Sequence, residues 1–346
     1  MQGNRFSEWQ PPAGWHVIDT LDCHTGGEPL RIVTAGFPEL AGQTVLERRQ
    51  DCRQRYDHLR QRLMFEPRGH ADMYGCIIVP PERADSQFGA IFLHNEGYST
   101  MCGHAVIALA KLAVESGLVA AQESLTTMRI DVPCGQVTAY ADVCDGKVLR
   151  TRFDNVPSFV AHLNAEVHVE GMGQVRFTLA YGGAYYAYVD ATEIGLSLAA
   201  DNHQRIIDAG RKIKAAVQQH FPIHHPFEHD LSFLYGTIFS APASEPGVHS
   251  RNVCIFADGE LDRSPTGSGV SGQAAILHAR GVLKPGEDIV IESILGSRFR
   301  IRIRDTQHYG PYAAVIPTVE GQAFVTGQHR FLLDPEDPFP QGFLFR

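Results

Sequence analysis

The apolar positions of this chain fall into short alternating runs far more often than into helical stripes. Residues 15–36 (WHVIDTLDCHTGGEPLRIVTAG) read as strand, glycine-rich turn, strand. The segments 75–81 (GCIIVPP), 89–95 (GAIFLHN) and 125–143 (LTTMRIDVPCGQVTAYADV) have the β-branched content and turn punctuation of strands. Between them, residues 103–117 (GHAVIALAKLAVESG) are apolar around nearly the whole helical circumference. Such a helix is expected to be buried on all sides.

The second half repeats this plan. Strands are predicted at 175–183, 185–190 and 251–258, then a small-residue helix at 269–283 (GVSGQAAILHARGVL), then strands at 288–294 and 299–304. A surface-type helix covers about residues 201–219, and residues 43–62 are polar and helix-like. The first fourteen or so residues read as a loose polar tail, and residues 323–343 as a strand followed by an irregular Pro-rich end. Each half is thus β-rich around one central helix. The expected fold class is α/β (α+β): two pseudo-symmetric domains, each a curled, mostly antiparallel sheet around its buried helix. The expected division is residues 15–155 plus about 320–346 for the first domain and 156–319 for the second. The helix N-termini should meet at the seam.

Length agrees with this: 346 residues exceed one ordinary core. Hydrophobic residues make up 44% and charged residues 20%, as in a soluble globular protein. The net charge of −9 leaves no basic surplus to neutralise phosphates, so no nucleic-acid partner is expected. The Arg-dense segment 47–62 reads as a solvated helix face. No apolar run is long enough to span a membrane, and residues 1–15 contain no apolar h-region, so no secretory leader is expected there. Seven scattered Cys without a CxxC fit a reduced, cytoplasmic setting rather than a disulfide framework or a zinc site. Cys52, Cys76, Cys134, Cys144 and Cys254 read as small buried hydrophobes, and Cys23 as structural. The His-rich stretch 220–229 is broken by proline and reads as a loop, not a metal site. Asp72 and Tyr74 read as turn residues before they read as pocket lining. No dinucleotide or phosphate-loop fingerprint occurs. A homodimer is compatible with the sequence.

The two buried helices begin alike. Sliding residue 102 onto 266 sets Gly103 on Gly267, Val106 on Val270, Ala110 on Ala274 and Gly117 on Gly281. Cys102 then falls on Thr266. At a helix mouth, unpaired N–H groups and the helix dipole favour a thiolate, so the Cys102 pKa is expected to be depressed. A thiolate there can remove a proton from carbon. Gly103 and Gly267 would let a carboxylate approach the N–H groups, including those of His104 and Ser268. Asp262, four residues before Thr266, can bind an amine, form an ion pair with Arg263 or make an Asx turn.

The segments DCHTGGEPLRIV, GHADMYG, GYSTMCGHAVIAL, YGGAYYAYVD, DRSPTGSGVSGQAAIL and TGQHRFLLDPEDPFPQGF resemble the proline racemase family, over roughly residues 17–345. The resemblance implies a fold shared with diaminopimelate epimerase, no cofactor and no metal, and a small imino-acid substrate. It implies that Gly103, His104, Asp262, Gly267 and Ser268 contact that substrate, with Asp262 near the ring nitrogen. Racemases of this family use two Cys, one on each face of the substrate Cα. Cys102 matches the first, but the second position is Thr266, and Cys102 and Thr266 are the candidate catalytic pair. A Thr hydroxyl is too weak an acid to alternate with a thiol, so two-base racemisation is expected to fail. Members with Thr at this place resemble dehydratases of trans-3-hydroxy-L-proline. In that substrate the hydroxyl and the Cα hydrogen share one face, so one base suffices for a syn elimination, leading to Δ1-pyrroline-2-carboxylate. Proline racemisation or 4-hydroxyproline 2-epimerisation is the alternative expectation, and non-catalytic imino-acid binding a second.

Overall fold

The computed structural model describes residues 5–243 and 245–345 of the chain. Its first half is a sheet wrapped around one helix. Strand His16–Thr25 forms a hairpin with Glu28–Ala35, and the two-residue turn uses Gly26 and Gly27, both at positive φ. Glu28–Ala35 runs parallel to Tyr74–Val79, which pairs antiparallel with Phe88–His94. Ser124–Val132, Gly135–Cys144 and Lys147–Asp154 continue the sheet as a meander. The C-terminal strand Ala323–Leu333 returns to pair antiparallel with His16–Thr25.

Five α-helices are present among the described residues: α1 (Val45–Arg55), α2 (Asp57–Met64), α3 (Gly103–Glu115), α4 (His203–His220) and α5 (Gly267–Ala279). The curled first sheet encloses α3, whose residues 103–110 and 112–114 are all buried. The second sheet is built from Ser158–Val169, Gly173–Tyr181, Tyr185–Asp190, Leu234–Ala241, Ser250–Phe256, Asp288–Glu292, Arg298–Tyr309 and Tyr312–Gly321. It encloses α5, buried from Gly267 to Leu277. Both enclosed helices are rich in small residues, Ala in α3 and Gly, Ser and Ala in α5, because a helix surrounded by sheet has no room for a polar face and little for bulk. Helix α4 lies outside. Its buried residues Ile206, Ala209, Gly210, Ile213 and Val217 recur every three to four positions, a single apolar stripe. Among the described residues no helix is long and apolar enough to cross a membrane.

The halves are joined at the seam. Tyr312–Gly321 pairs with both Ser158–Val169 and Lys147–Asp154, so the strand ladders run on from one half into the other. The Thr100 hydroxyl donates to the Gly183 carbonyl at 2.7 Å, and the Asn155 amide donates to Gly182 at 2.8 Å. His94 Nδ1 meets Glu260 Oε1 at 3.0 Å, both side chains fully enclosed.

Two sequence expectations change here. The Arg-dense segment is two helices rather than one solvated face. Thr44 and Glu47 form a capping box that starts α1. Arg49 and Arg60 are buried: Arg49 donates to the Tyr98 carbonyl, and Arg60 pairs with Asp57 and donates to the carbonyls of His94 and Asn95. The guanidinium forks supply donors to carbonyls around the turn that joins Phe88–His94 to Gly97–Ser99, a long-range need that no local pattern reveals. Cys144, expected inside, is exposed. It ends its strand at the turn into Lys147, where the side chain has no opposing sheet.

Candidate active site

The N-termini of α3 and α5 abut. A methyl group on Gly103 would lie 2.5 Å from Gly267 Cα, and one on Gly267 would lie 2.5 Å from Gly103 Cα. Only glycine allows this approach. The first N–H groups of each helix, which have no intrahelical partner, therefore point into one space with two positive dipole ends behind them. Cys102, Gly103, His104, Asp262, Thr266, Gly267 and Ser268 all line this cavity, together with Tyr74, Met101, Tyr186, Tyr235 and Phe256. Its volume is about 20 Å³. That accommodates about one water molecule.

The pseudo-equivalent positions differ in local geometry. Cys102 sits in extended backbone and caps its own helix, its Sγ accepting from Ala105 N at 3.4 Å. His104 Nδ1 lies 3.2 Å from the same sulfur. Thr266 instead has φ 66° and ψ 97°, a left-handed conformation rare for a β-branched residue. It makes no side-chain cap. Its hydroxyl donates to Asp262 Oδ2 at 2.7 Å, and its N–H donates to Ser264 Oγ at 3.1 Å. Strain of this kind costs on the order of 1–3 kcal/mol and persists where surrounding structure enforces it. Here the enforcing group is Asp262, whose Oδ1 also accepts from Ser264 N at 2.7 Å. Asp262 thus makes the Asx turn. Arg263 turns away to Asp72, 2.8 Å distant, and its N–H donates to Glu28.

Electrostatics in this closed space are dominated by desolvation. Burial pushes the Cys102 thiol well above its ordinary value, and the N–H of Ala105 and the Tyr74 hydroxyl only partly offset it. This corrects the expected depression: the helix end is present, but the sulfur has been removed from water, and desolvation exceeds the dipole. Burial also lowers His104, so its imidazole is neutral. Glu28, fully buried behind the site, is raised by burial and then by the Asp262 charge. The phenols of Tyr74, Tyr186 and Tyr235 are raised by burial as well.

Sequence reasoning gathered seven of these residues and undervalued Tyr74, which lines the cavity rather than a turn. It missed Met101, Tyr186, Tyr235 and Phe256 as lining. Tyr186 lay within a quoted motif, but nothing local marks Tyr235, which arrives from a strand far along the chain. The four His of residues 220–229 do not converge, and among the described residues no three His, Cys, Asp or Glu are grouped to hold a metal ion. His225 packs instead against Tyr181 and Tyr309.

A protein 54% identical over 345 residues, spanning 99% of this chain and 97% of its own, is the trans-3-hydroxy-L-proline dehydratase of Colwellia psychrerythraea strain 34H. The human trans-3-hydroxy-L-proline dehydratase is 45% identical, with 96% of each chain covered. Among solved structures, a hydroxyproline epimerase from Agrobacterium vitis with bound trans-4-hydroxy-L-proline superposes with a TM-score of 0.90 at 32% identity, covering 95% of this chain and 96% of that one. A methylitaconate-delta-isomerase at 12% identity and TM-score 0.52 shares the fold. The family profile described as proline racemase matches residues 20–344. With its pair of facing helix ends and that match over nearly its whole length, the chain belongs to the proline racemase family.

Proposed function

We propose that this chain is a trans-3-hydroxy-L-proline dehydratase that eliminates water without a second base. The observation that carries the reading is the asymmetry of the two helix mouths. One presents a thiol, and the other a hydroxyl already committed to Asp262. The names and identities of the Colwellia and human relatives support the same reading.

In this mechanism the substrate carboxylate lies on the N–H groups that open α3 and α5. Those donors, including the N–H groups of Gly103, His104, Gly267 and Ser268, stabilise the charge that the carboxylate gains as Cα loses its proton. One such donor is worth about 2.7–4 kcal/mol in a transition state. Asp262 holds the ring nitrogen. Cys102 removes the Cα proton from the face that also carries the 3-hydroxyl. Carbon–oxygen cleavage follows on that face, and the enamine tautomerises to Δ1-pyrroline-2-carboxylate. Thr266 positions Asp262 on the opposite face and moves no proton.

The raised Cys102 thiol fits this scheme once the substrate is considered. A bound imino acid brings a positive nitrogen into the same enclosed space, which restores the charge stabilisation that burial removed. A cavity of about 20 Å³ cannot hold a five-membered ring with a carboxylate. Binding therefore requires the two halves to part, and closure then excludes water. We also propose that the halves are residues 15–155 with about 320–346, and 156–319. The return of Ala323–Leu333 to His16–Thr25 supports that division.

Epimerisation of 4-hydroxyproline is the second reading, favoured by the fold shared with the Agrobacterium epimerase. Incubation with the 3- and 4-hydroxyproline isomers in heavy water separates the two. The dehydratase yields a ketimine, trapped by o-aminobenzaldehyde, from the trans-3-hydroxy-L isomer. An epimerase yields the C2 epimer labelled at Cα. Cys102→Ser should abolish pyrroline formation while retaining substrate binding, and normal turnover by that variant would remove Cys102 from the role.

A further inference from the structure

Hydroxide is a poor leaving group, and the scheme above needs an acid on the Cys102 face. Most hydroxyls that line the cavity are already engaged. Tyr74 bonds to Ser99 Oγ at 2.5 Å, Tyr186 to Ser268 Oγ at 2.8 Å, and Thr266 to Asp262. The Tyr235 hydroxyl is different. It is buried, lines the cavity and makes no hydrogen bond of ordinary geometry. Buried polar groups in native proteins almost always find a partner, and one that faces a ligand space is completed by the ligand.

The Tyr235 ring is held firmly. It stacks on Phe256 at 5.4 Å and meets His94 and Tyr186 edge-on at 5.8 Å. His94 is itself fastened to Glu260. On the cavity side, the Tyr74 hydroxyl lies beside both the Cys102 thiol and the Tyr235 hydroxyl. Tyr235 therefore belongs to the thiol side of the substrate, where the 3-hydroxyl must leave. On its outer side the same residue borders a cleft of about 820 Å³, also lined by Arg49, Lys214 and Asp258, into which a released water can pass.

We propose, on the dehydratase reading, that Tyr235 is the acid that protonates the departing 3-hydroxyl group. The Cys102 thiolate takes the Cα proton as the carbanion forms. The C3–O bond then breaks, and the phenolic proton of Tyr235 joins the leaving oxygen. The products are water, the enamine, a Cys102 thiol and a Tyr235 phenolate. Tyr74 resets the site: its hydroxyl gives a proton to Tyr235 and takes one from Cys102, which restores the thiolate and the phenol. No outside donor is needed. Burial keeps the Tyr235 phenol protonated near neutrality, which is the state required of an acid. His104 is less suited, because burial keeps it neutral and its ring already bonds to the Pro29 carbonyl.

Tyr235→Phe tests this with two substrates, trans-3-hydroxy-L-proline and trans-3-fluoro-L-proline. Fluoride leaves without needing a strong proton donor. The change removes one buried oxygen whose polar neighbour, the Tyr74 hydroxyl, keeps its bond to Ser99, so the fold is expected to persist, as circular dichroism can verify. Dehydration should fall by about 10²–10⁴-fold, the usual worth of a general acid, while fluoride release stays within about tenfold of the parent enzyme. Unchanged dehydration overturns the proposal. So does an equal fall with both substrates, which would assign Tyr235 a merely structural role. A parent enzyme that forms no pyrroline from the hydroxy substrate overturns the dehydratase reading itself, and this outcome is seen before any variant is made.

Discussion

Gly103→Ala is the sharpest probe of the facing helix ends. The added methyl would lie 2.5 Å from Gly267 Cα, 2.9 Å from the Gly267 carbonyl carbon and 3.0 Å from Phe153 Cζ. Non-bonded carbons prefer about 3.5–4.0 Å, so roughly 1 Å of separation must be created. Neither wall yields readily. Two of the three contacts are backbone at the start of a buried helix, and Phe153 is fully enclosed. Overpacking of this kind costs about 1–3 kcal/mol. The functional cost is larger than the stability cost suggests. Moving the N–H groups by about 1 Å from the carboxylate they must hold is expected to lower kcat/KM by about 10²-fold. Thermal unfolding of the ligand-free protein and steady-state pyrroline formation measure the two effects. The Gly103→Ala, Gly267→Ala double variant should lose less stability than the sum of the single changes, because the first methyl already forces the gap that the second needs. A Gly103→Ala protein with the parent melting temperature and the parent kcat/KM would refute the claim that these helix ends touch and act together.

Two further predictions concern thiols. Thr266→Cys replaces the hydroxyl that donates to Asp262 with a weaker donor. Pyrroline formation should fall at least about tenfold, with deuterium from heavy water appearing at Cα of recovered 4-hydroxyproline as the second thiol becomes available. Full dehydratase activity without such exchange would contradict the positioning role. Separately, burial pushes Cys23, Cys52 and Cys134 up to about 12. The unfolded chain releases these protons near the ordinary value of about 8.5, while the folded chain retains them. Their stabilising effect is complete below about pH 8.5 and is lost as pH rises towards 12, at about 1.4 kcal/mol per pH unit for each thiol. Urea midpoints under reducing conditions should fall steadily from about pH 8.5 to about pH 10.5, and a flat profile contradicts the assignment.

Much of this molecule was legible without coordinates. The two all-round apolar helices could only be central, because no helix of that composition tolerates water on any side. Their shared Gly-led starts at residues 102–103 and 266–267 implied that two helix mouths face one site, and the family resemblance marked Thr266 as standing where a racemase carries its second Cys. Local pattern identified the helices and their mouths because each depends on residues adjacent in sequence. Tertiary structure decided the rest. The Cys102 pKa moved up rather than down because closure of the second half over the first removed the thiol from water, an effect no helix-end rule contains. Arg49 and Arg60 went inside to serve the strand end around His94–Tyr98, carbonyls more than thirty residues away. Tyr235 reached the cavity only because its strand, Leu234–Ala241 of the second sheet, starts against His94 of the first half, and its hydroxyl could be recognised only once the neighbouring hydroxyls had been given their partners. Short-range spacing determines which groups can do chemistry; which of them lose water, and which are left without a bond, is a property of the closed assembly of both halves.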